Sequence, residues 1–303
     1  MALLNPKQKK YLLKMLSLFS VVRGYNILII VIAQYLTSIY ILAPGKPLLQ
    51  VVLDPNLFVI VLASALAIAG GYIINSFYDA EKDLINRPNK TYLDSFISQN
   101  TKLSTYFVLN FLSVILASAI SFRAVLFFSA YIFFIWFYSH KLKKYPFIGN
   151  LTASVLAITP FFAVFIYYKN FALVIFVHAT FLFLIISMRE LVKDLENIKG
   201  DLVLNYKTIP VVYGERVSKR ILTFLSIITL VPIYLLLTRF EIGYMDFYFF
   251  GAVLLLGVFL FYLWHSSQKL DYIILHTILK LIIVVGTLSI VLLDVDFLLR
   301  RIL

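Results

Sequence analysis

The chain has 303 residues and a composition unlike that of soluble proteins: 62% of the residues are apolar, 14% are charged, and the mean hydropathy is +0.94. Soluble domains are about half apolar and about a quarter charged, so the composition indicates a polytopic membrane protein. The sequence contains no cysteine. This excludes disulfides, thiolate nucleophiles, thiolate-ligated zinc and prenyl or palmitoyl anchors.

Nine continuously apolar stretches of membrane-spanning length follow one another along the chain. They predict nine transmembrane helices, called spans 1 to 9, near residues 18–42, 56–76, 104–122, 124–139, 150–168, 171–188, 219–238, 246–264 and 274–293. Continuous runs favour helices over a β-barrel, whose strands alternate in polarity over about 10 residues. No flexible linker or low-complexity tract interrupts the sequence, so residues 1–303 are predicted to form one all-α transmembrane domain.

The formal net charge of +12 is distributed unevenly across the predicted membrane. With the N-terminus inside, the inside segments and the first two residues of span 7 together hold 19 Lys and Arg residues and the outside segments hold six, while Arg23 and Lys280 lie deeper within spans. This asymmetry predicts a multi-pass cell-membrane protein with a cytoplasmic N-terminus and, because there are nine spans, an external C-terminus. The basic excess therefore indicates topology and attraction to anionic headgroups or phosphate-bearing substrates, and no nucleic-acid partner is expected.

An acidic motif directly follows span 2. Asn75, Asp79 and Asp83 recur at intervals of four residues, so they share one face of a helix. Two carboxylates at the C-terminal end of a helix repel each other and oppose the helix dipole, so a cation should offset both costs. Oxygen ligands favour Mg²⁺, which usually binds one or two carboxylates together with the phosphates of a substrate. The motif therefore predicts a diphosphate held through magnesium at a membrane surface.

A second acidic segment follows span 6, four spans later and on the same predicted side. Glu190, Asp194, Asn197 and Asp201 again share a helix face and predict a second metal site. The two long polar loops, residues 77–103 and 189–218, thus indicate a pseudo-repeat. In it, two four-helix halves each contribute half of one cytoplasmic site, and the ninth helix is left over. Two ordinary acidic loops, or a solvated amphipathic helix, would produce the same pattern.

Basic residues near the motifs are candidates for phosphate contacts. Lys141 and Lys143 follow span 4, close to Tyr138, and lysine supplies a point charge suited to a diphosphate leaving group. The sequence does not distinguish which of the two lysines faces inward, and both are also typical of positive-inside anchors. Arg23 and Asn26 lie three residues apart in span 1. They either line a cavity or, for Arg23, extend to the headgroups.

Together these features resemble the UbiA superfamily of intramembrane prenyltransferases. The resemblance covers nearly the whole chain and rests on Asn75-x-x-x-Asp79-x-x-x-Asp83, the second acidic motif, Arg23-x-x-Asn26 and the nine-span plan. It implies an all-α bundle with a lateral cavity that admits the polyprenyl tail from the bilayer. It also implies two Mg²⁺ ions that bind the donor diphosphate, whose departure leaves an allylic cation for the acceptor to attack.

Carried over residue by residue, the resemblance assigns one Mg²⁺ to Asn75, Asp79 and Asp83. The second ion falls to Asp194, Asn197 and Asp201, and the four aspartates are the implied catalytic residues. The implied substrate contacts are Arg23, Asn26, Arg87, Tyr138, Lys141, Lys143, Lys193 and Lys207. The chain departs from the family in two places. Ser76 stands where Asp is frequent, and Asn197 stands where Asp is usual, which should weaken the second metal site.

The segment from Arg189 to Pro210 is most similar to the ether-lipid branch of the family. That branch implies a geranylgeranyl diphosphate donor and, as acceptor, the free hydroxyl of a prenylated glycerol phosphate. Other branches prenylate an aromatic acceptor for a quinone, or haem, and apolar acceptor pockets are too weakly patterned to separate them. Outside the family, an ion-coupled transporter or a non-catalytic scaffold remains. Transporter carboxylates usually lie at the midplane in broken helices, whereas these acids lie at the ends of spans.

Overall fold

The structure, a computed structural model, describes residues 5–294, apart from the side chains of residues 6, 7 and 10. This part of the chain is helical and contains no strand. The α-helices are α1 (Pro6–Val21), α2 (Gly24–Thr37), α3 (Leu48–Val52), α4 (Pro55–Tyr78), α5 (Ala80–Asn86), α6 (Pro88–Asp94), α7 (Gln99–Ser118), α8 (Phe122–His140), α9 (Ile148–Tyr168), α10 (Leu173–Glu196), α11 (Ile198–Val203), α12 (Ile209–Arg239), α13 (Asp246–His265) and α14 (Lys269–Ser289). A π-helical turn, Ser38–Leu42, extends α2, and 3₁₀ turns lie at Leu142–Lys144, Gly243–Met245 and Ile290–Asp294.

Nine helical segments between residues 5 and 294 are long and apolar enough to cross a membrane, which confirms the predicted fold class and span count. They are Gly24–Leu42, Pro55–Tyr78, Gln99–Ser118, Phe122–Lys144, Ile148–Tyr168, Leu173–Glu196, Ile209–Arg239, Gly243–His265 and Lys269–Asp294. The C-terminus, predicted to be external, is not among the described residues. The same holds for Arg300 and Arg301, two of the basic residues counted in the external segments.

The predicted start of span 1 at residue 18 is wrong. α1 ends at Val21 and span 1 begins at Gly24, so Arg23 lies in the break between two helices and not within the span. Arg23 has a φ of 51°, in the left-handed region that interrupts a right-handed helix. At Gly24 a Cβ atom would overlap the ring of Phe19 in its present position, so the ring packs directly against the glycine. Hydropathy alone does not detect such a break.

The two predicted polar loops are largely helical, which corrects the expectation of loops. Residues 77–103 contain α5 and α6, and residues 189–218 contain the end of α10, α11 and the start of α12. In α12, Gly214 has a φ of 84° and a ψ of 167°, which marks a kink five residues after the start of the helix. The motif residues therefore lie in helices or, for Asp79 and Asn197, where two helices meet.

The chain divides into two compact units. Unit 1 comprises Met1–Val31 and Phe58–Lys141, and unit 2 comprises Ile32–Leu57 and Leu142–Leu303. The boundary after Lys141 falls at the end of span 4, where the first predicted four-helix half ends. Unit 1 carries the first acidic motif and unit 2 the second. The prediction that residues 1–303 form a single domain stays a prediction.

In unit 1, two glycines bring α4 close to its neighbours. A Cβ atom on Gly70 would lie 2.7 Å from Oδ1 of Asn110 on α7, and one on Gly71 would lie 2.9 Å from Cγ2 of Ile135 on α8. Small residues allow the backbones of membrane helices to approach in this way. Further along α4, Ile73 is fully buried in a cluster with Val21 of α1 and Tyr106 of α7. This packing fixes the end of α4 from which the first motif projects.

The core of unit 2 forms where α10 packs against α12 and α14. Fully buried side chains of α10, such as Ile185 and Met188, contact a cluster that includes Leu222 of α12, Phe249 of α13 and Leu279 of α14. Burying side chains of this size is worth about 1.5–3 kcal/mol each where water is the alternative, and in lipid the close packing itself supplies the attraction. α10 is thereby fixed as the central helix of unit 2, and its C-terminal end carries the second motif.

Candidate active site

The first motif continues the hydrogen-bonding pattern of α4 beyond the end of that helix. The Asp79 N–H donates to the Asn75 carbonyl at 2.9 Å, and the Asp83 N–H donates to the Asp79 carbonyl at 2.8 Å. Asp79 itself has a φ of −93° and a ψ of 7°, so the chain bends slightly between α4 and α5. All three side chains are half-buried. The helical spacing inferred from the sequence is therefore retained across the bend.

Arg23 and Asn26 both contact Tyr72 of α4. The Arg23 guanidinium carbon lies 5.1 Å from the centroid of the Tyr72 ring, a cation–π distance, and Asn26 Nδ2 lies 3.4 Å from the Tyr72 hydroxyl. A non-glycine residue in the left-handed region costs about 1–3 kcal/mol and persists where its surroundings hold it. Sequence reasoning missed Tyr72, although its position three residues before Asn75 places both residues on one side of α4.

A second polar group in unit 1 surrounds Asp94 at the end of α6. Asp94 is buried, accepts a hydrogen bond from Ser20 Oγ at 2.8 Å and pairs with Lys90 at 3.2 Å. Lys102, at the start of α7, is also buried. Arg87 lies at the junction of α5 and α6, where its carbonyl accepts the Thr91 N–H at 3.0 Å. These contacts hold the short helices that follow the first motif.

The two lysines that the sequence could not separate differ in the structure. Lys143 is 9% exposed, whereas Lys141 is exposed. Lys143 is therefore the inward-facing residue of the pair, in the 3₁₀ turn Leu142–Lys144. Tyr138 is half-buried on the last turn of α8. The roles of these residues as substrate contacts stay predictions.

In unit 2, each member of the second motif has a defined hydrogen-bond partner. Asp194 Oδ2 accepts from Asn150 Nδ2 at 2.9 Å, and Asn197 Nδ2 donates to the Lys193 carbonyl at 2.7 Å. Asp201, which is 0% exposed, accepts from Thr208 Oγ1 at 3.3 Å. Sequence reasoning gave Asn150 no role.

Glu190 differs from the rest of the predicted second site because basic residues of its own helix neutralise it. Its carboxylate pairs with Arg189 at 3.1 Å and with Lys193 at 2.8 Å. Nearby, the Glu196 carboxylate lies 3.3 Å from Nδ1 of His276 of α14. Glu190 therefore supports α10 electrostatically. The ammonium group of Lys193, expected to contact phosphate, already contacts Glu190.

The basic turn after α8 is linked to the segment that precedes α12. The Lys207 N–H donates to the Lys144 carbonyl at 2.9 Å, and the Lys144 ammonium lies 5.2 Å from the centroid of the Tyr206 ring. The Lys207 side chain is exposed. This contact joins the basic turn after span 4 to the end of the second polar segment, within unit 2.

The donor set of each motif fits magnesium. Between residues 5 and 294, no three His, Asp or Glu residues cluster as a ready metal cage. Each motif instead offers two aspartates and one asparagine, all oxygen ligands. Magnesium is usually bound by one or two carboxylates and completed by waters and substrate phosphates, so an incomplete protein cage is the expected arrangement.

Unit 2 also contains an apolar cavity of about 140 Å³. It is lined by the second half of span 1, by α9, by the first half of α10, and by parts of α13 and α14. Aromatic side chains such as Phe161, Phe165 and Phe176 dominate its wall. Along α10 the cavity extends to Ile185, nine residues before Asp194, which is roughly 14 Å along the helix axis. A cavity of this volume can accommodate an apolar group about the size of benzene.

Comparison with known proteins identifies the family. The model of the UbiA prenyltransferase family matches residues 27–272, so this chain belongs to the UbiA prenyltransferase family, as the sequence motifs indicated. The matched segment contains both acidic motifs. It does not include Arg23 or α1.

Curated relatives carry the name digeranylgeranylglyceryl phosphate synthase. One from Thermococcus sibiricus is 35% identical over 162 residues, which are 53% of this chain and 57% of the relative. One from Methanobrevibacter smithii is 29% identical over 255 residues, which are 78% of this chain and 86% of the relative. The chain thus spans little more than half the length of the first of these relatives.

Solved structures share the fold. A structure described as giving structural and mechanistic insights into digeranylgeranylglyceryl phosphate synthase in membranes has a TM-score of 0.69 and 22% identity, covering 93% of this chain and 99% of that chain. A UbiA homologue from Archaeoglobus fulgidus, bound to GPP and Mg²⁺, has a TM-score of 0.65 and 17% identity, covering 91% and 99%. At these identities the likeness establishes the fold.

Proposed function

We propose that this chain transfers a geranylgeranyl group from its diphosphate to the free hydroxyl of a prenylated glycerol phosphate, a step of ether-lipid synthesis. The observation that carries the proposal is the family match over residues 27–272, with oxygen-ligand motifs kept at the ends of α4 and α10. The synthase name of the curated relatives supports this acceptor over an aromatic one.

Two magnesium ions are the proposed cofactors, one for each motif. Asn75, Asp79 and Asp83 would hold one ion, and the other would be held by Asp194, Asn197 and Asp201. The Archaeoglobus fulgidus homologue with GPP and Mg²⁺ supports a metal-bound prenyl diphosphate. Bound magnesium supplies electrostatic stabilisation of the leaving diphosphate. The carboxylates, half-buried except for the fully buried Asp201, would hold their oxygen atoms in position for it.

In the proposed reaction, the bond between the allylic carbon and the diphosphate oxygen breaks, and the oxygen keeps the electron pair. The acceptor hydroxyl oxygen then bonds to the allylic carbon and loses its proton. Arg23, held against Tyr72, and the buried Lys143 supply positive charge for the departing phosphates. The remaining proposed substrate contacts are Asn26, Arg87, Tyr138, Lys141, Lys193 and Lys207.

The apolar cavity of unit 2 supports a substrate with an apolar part. Its wall is almost entirely apolar, and it begins roughly 14 Å along α10 from Asp194, which suits a chain whose polar end is held at the motif. At about 140 Å³ it has room for a group the size of benzene, which is a short part of a prenyl chain.

We place the proposed active site at the cytoplasmic face of the cell membrane, with a cytoplasmic N-terminus. The support is the asymmetry of 19 against six basic residues in the sequence. An anionic acceptor is suited to this side because most of the basic residues are predicted to lie there. An ionic hydrogen bond from one of them to the acceptor phosphate contributes about 1.5–3 kcal/mol. That is tenfold or more in discrimination against an uncharged acceptor.

The test is a reconstitution with competing acceptors. Purified protein, Mg²⁺ and geranylgeranyl diphosphate are incubated with geranylgeranylglyceryl phosphate, 4-hydroxybenzoate, a dihydroxynaphthoate or haem. We expect the ether lipid to be the main product by mass spectrometry. An aromatic adduct without ether lipid would assign the chain to a quinone branch. Absence of magnesium-dependent diphosphate release with any acceptor would contradict prenyl transfer and favour a transporter or scaffold.

A further inference from the structure

α1 presents an apolar stripe that the rest of the described protein leaves largely exposed. The stripe consists of Tyr11, Leu12, Met15, Leu16 and Phe19, all exposed, with Tyr11 and Met15 at 71% and 70%. An α-helix turns by about 100° per residue, so these five side chains fall within a sector of roughly 140°. A contiguous apolar stripe of this kind marks an interaction surface.

The opposite side of α1 is already packed against unit 1. Ser17 and Val21 are 0% and 1% exposed, and Ser20 Oγ donates to Asp94 Oδ1 of α6 at 2.8 Å. Val21 contributes to the same core as Ile73 of α4. These contacts fix the rotation of the helix about its axis, so the apolar stripe cannot turn into the protein.

Two further observations identify what covers the stripe. Lys9 and Lys14 are exposed on either side of it, and span 1 begins at Gly24, only two residues after α1 ends. The first observation favours an anionic partner. The second places α1 at the level where the membrane begins. A second copy of α1 would bring lysines towards lysines, whereas anionic headgroups complement them.

We propose that α1 lies in the membrane–water interface, with its stripe among the upper acyl chains and its lysines at anionic headgroups. Interfacial amphipathic helices bind through buried apolar area together with attraction to anionic lipid. The family match begins at residue 27, so the matched segment does not include α1. The proposal does not depend on prenyl transfer. Through Ser20 and Asp94, the interfacial helix also anchors α6, which follows the first motif.

The cysteine-free sequence allows a direct test with matched neighbouring positions. Single cysteines at Met15 (Met15→Cys) and Lys14 (Lys14→Cys) are labelled with an environment-sensitive nitrobenzoxadiazole dye in the full chain. The protein is reconstituted in vesicles of equal parts phosphatidylcholine and phosphatidylglycerol that contain a lipid with a nitroxide near the top of its acyl chain. We expect blue-shifted, strongly quenched emission at position 15, and red-shifted, weakly quenched emission at position 14.

The electrostatic part has its own measurement. Lys9→Glu and Lys14→Glu are added to the Met15→Cys protein. Nitroxide quenching in the anionic vesicles should then fall to the value that the Met15→Cys protein with both lysines gives in vesicles of phosphatidylcholine alone. Water-like emission at position 15 in both kinds of vesicle would overturn the proposal. Blue-shifted emission without nitroxide quenching would also overturn it, because protein rather than lipid would then cover the stripe.

Discussion

The two acidic motifs look alike in sequence but differ in how far the protein encloses them. In unit 1, Asn75, Asp79 and Asp83 are half-buried along a bent continuation of α4. In unit 2, Asn197 and Asp201 are 5% and 0% exposed and hydrogen-bonded within the unit. From this comparison we expect the first motif to serve mainly ligand binding. The second motif also stabilises the fold around it.

The largest expected effect is a loss of activity without a loss of stability in the first motif. Asp79→Ala or Asp83→Ala should lower prenyl transfer on the order of a thousandfold, because a metal ligand is worth several kcal/mol in the transition state. The melting temperature should not fall, because removing one of the two carboxylates relieves the repulsion between them. Glu81→Ala is the matched control, because Glu81 is exposed between the two aspartates. Near wild-type turnover of either aspartate variant would refute the metal assignment.

In the second motif, activity and stability should fall together. Asp201→Ala removes the acceptor of the buried Thr208 hydroxyl, which should cost about 1–3 kcal/mol of unfolding free energy in addition to activity. Asp201→Asn keeps an acceptor oxygen but loses the charge. This variant should therefore melt close to the wild type but be inactive, because the charge that would bind the metal is lost. If Asp201→Ala melts like the wild type, the proposed contrast between the motifs fails.

A smaller effect is expected at Tyr72. Tyr72→Leu removes the ring under the Arg23 guanidinium, a contact worth about 1–2 kcal/mol, so the KM for the prenyl diphosphate should rise about five- to thirtyfold. Tyr72→Phe keeps the ring and loses only the hydroxyl near Asn26, so its KM should rise less. Steady-state kinetics with varied donor measures both. Equal KM values for the two variants would mean that Tyr72 does not position Arg23.

Asn197→Asp examines the second motif as a metal site. An anionic oxygen should lower the Mg²⁺ concentration needed for activity. The aspartate cannot donate to the Lys193 carbonyl, so the variant should melt below the wild type without Mg²⁺ and recover with it. Activity and melting are measured across a magnesium titration. Identical titration curves for the variant and the wild type would exclude Asn197 as a ligand.

Single-cysteine labelling, which perturbs the protein least, tests whether the two acidic motifs face the same side of the membrane. Single cysteines at Ser95, near the first motif, and at Lys199, near the second, are both exposed and should be labelled only from the cytoplasm. A cysteine at Lys46 should be labelled only from outside. Labelling of Ser95→Cys and Lys199→Cys from opposite faces would exclude a shared site.

The sequence by itself determined the all-α class, the nine spans, the spacing of both motifs and the family. These properties depend on local patterns. A run of about 20 apolar residues must be helical in lipid whatever surrounds it, because its backbone polar groups can be satisfied only within the helix. Four-residue spacing places Asn75, Asp79 and Asp83 on one side of a helix for a similarly local reason. The hydrogen bonds that continue α4 beyond Tyr78 retain that spacing.

Only the tertiary structure decided which side chains face inward and where helices break. The interruption at Arg23 depends on the packing of Phe19 against Gly24 and on the contact of Arg23 with Tyr72. The burial of Lys143 rather than Lys141 could not be read from adjacent lysines in one short turn. Such outcomes depend on contacts between residues far apart in the chain, whereas hydropathy and spacing report only on neighbours along the chain.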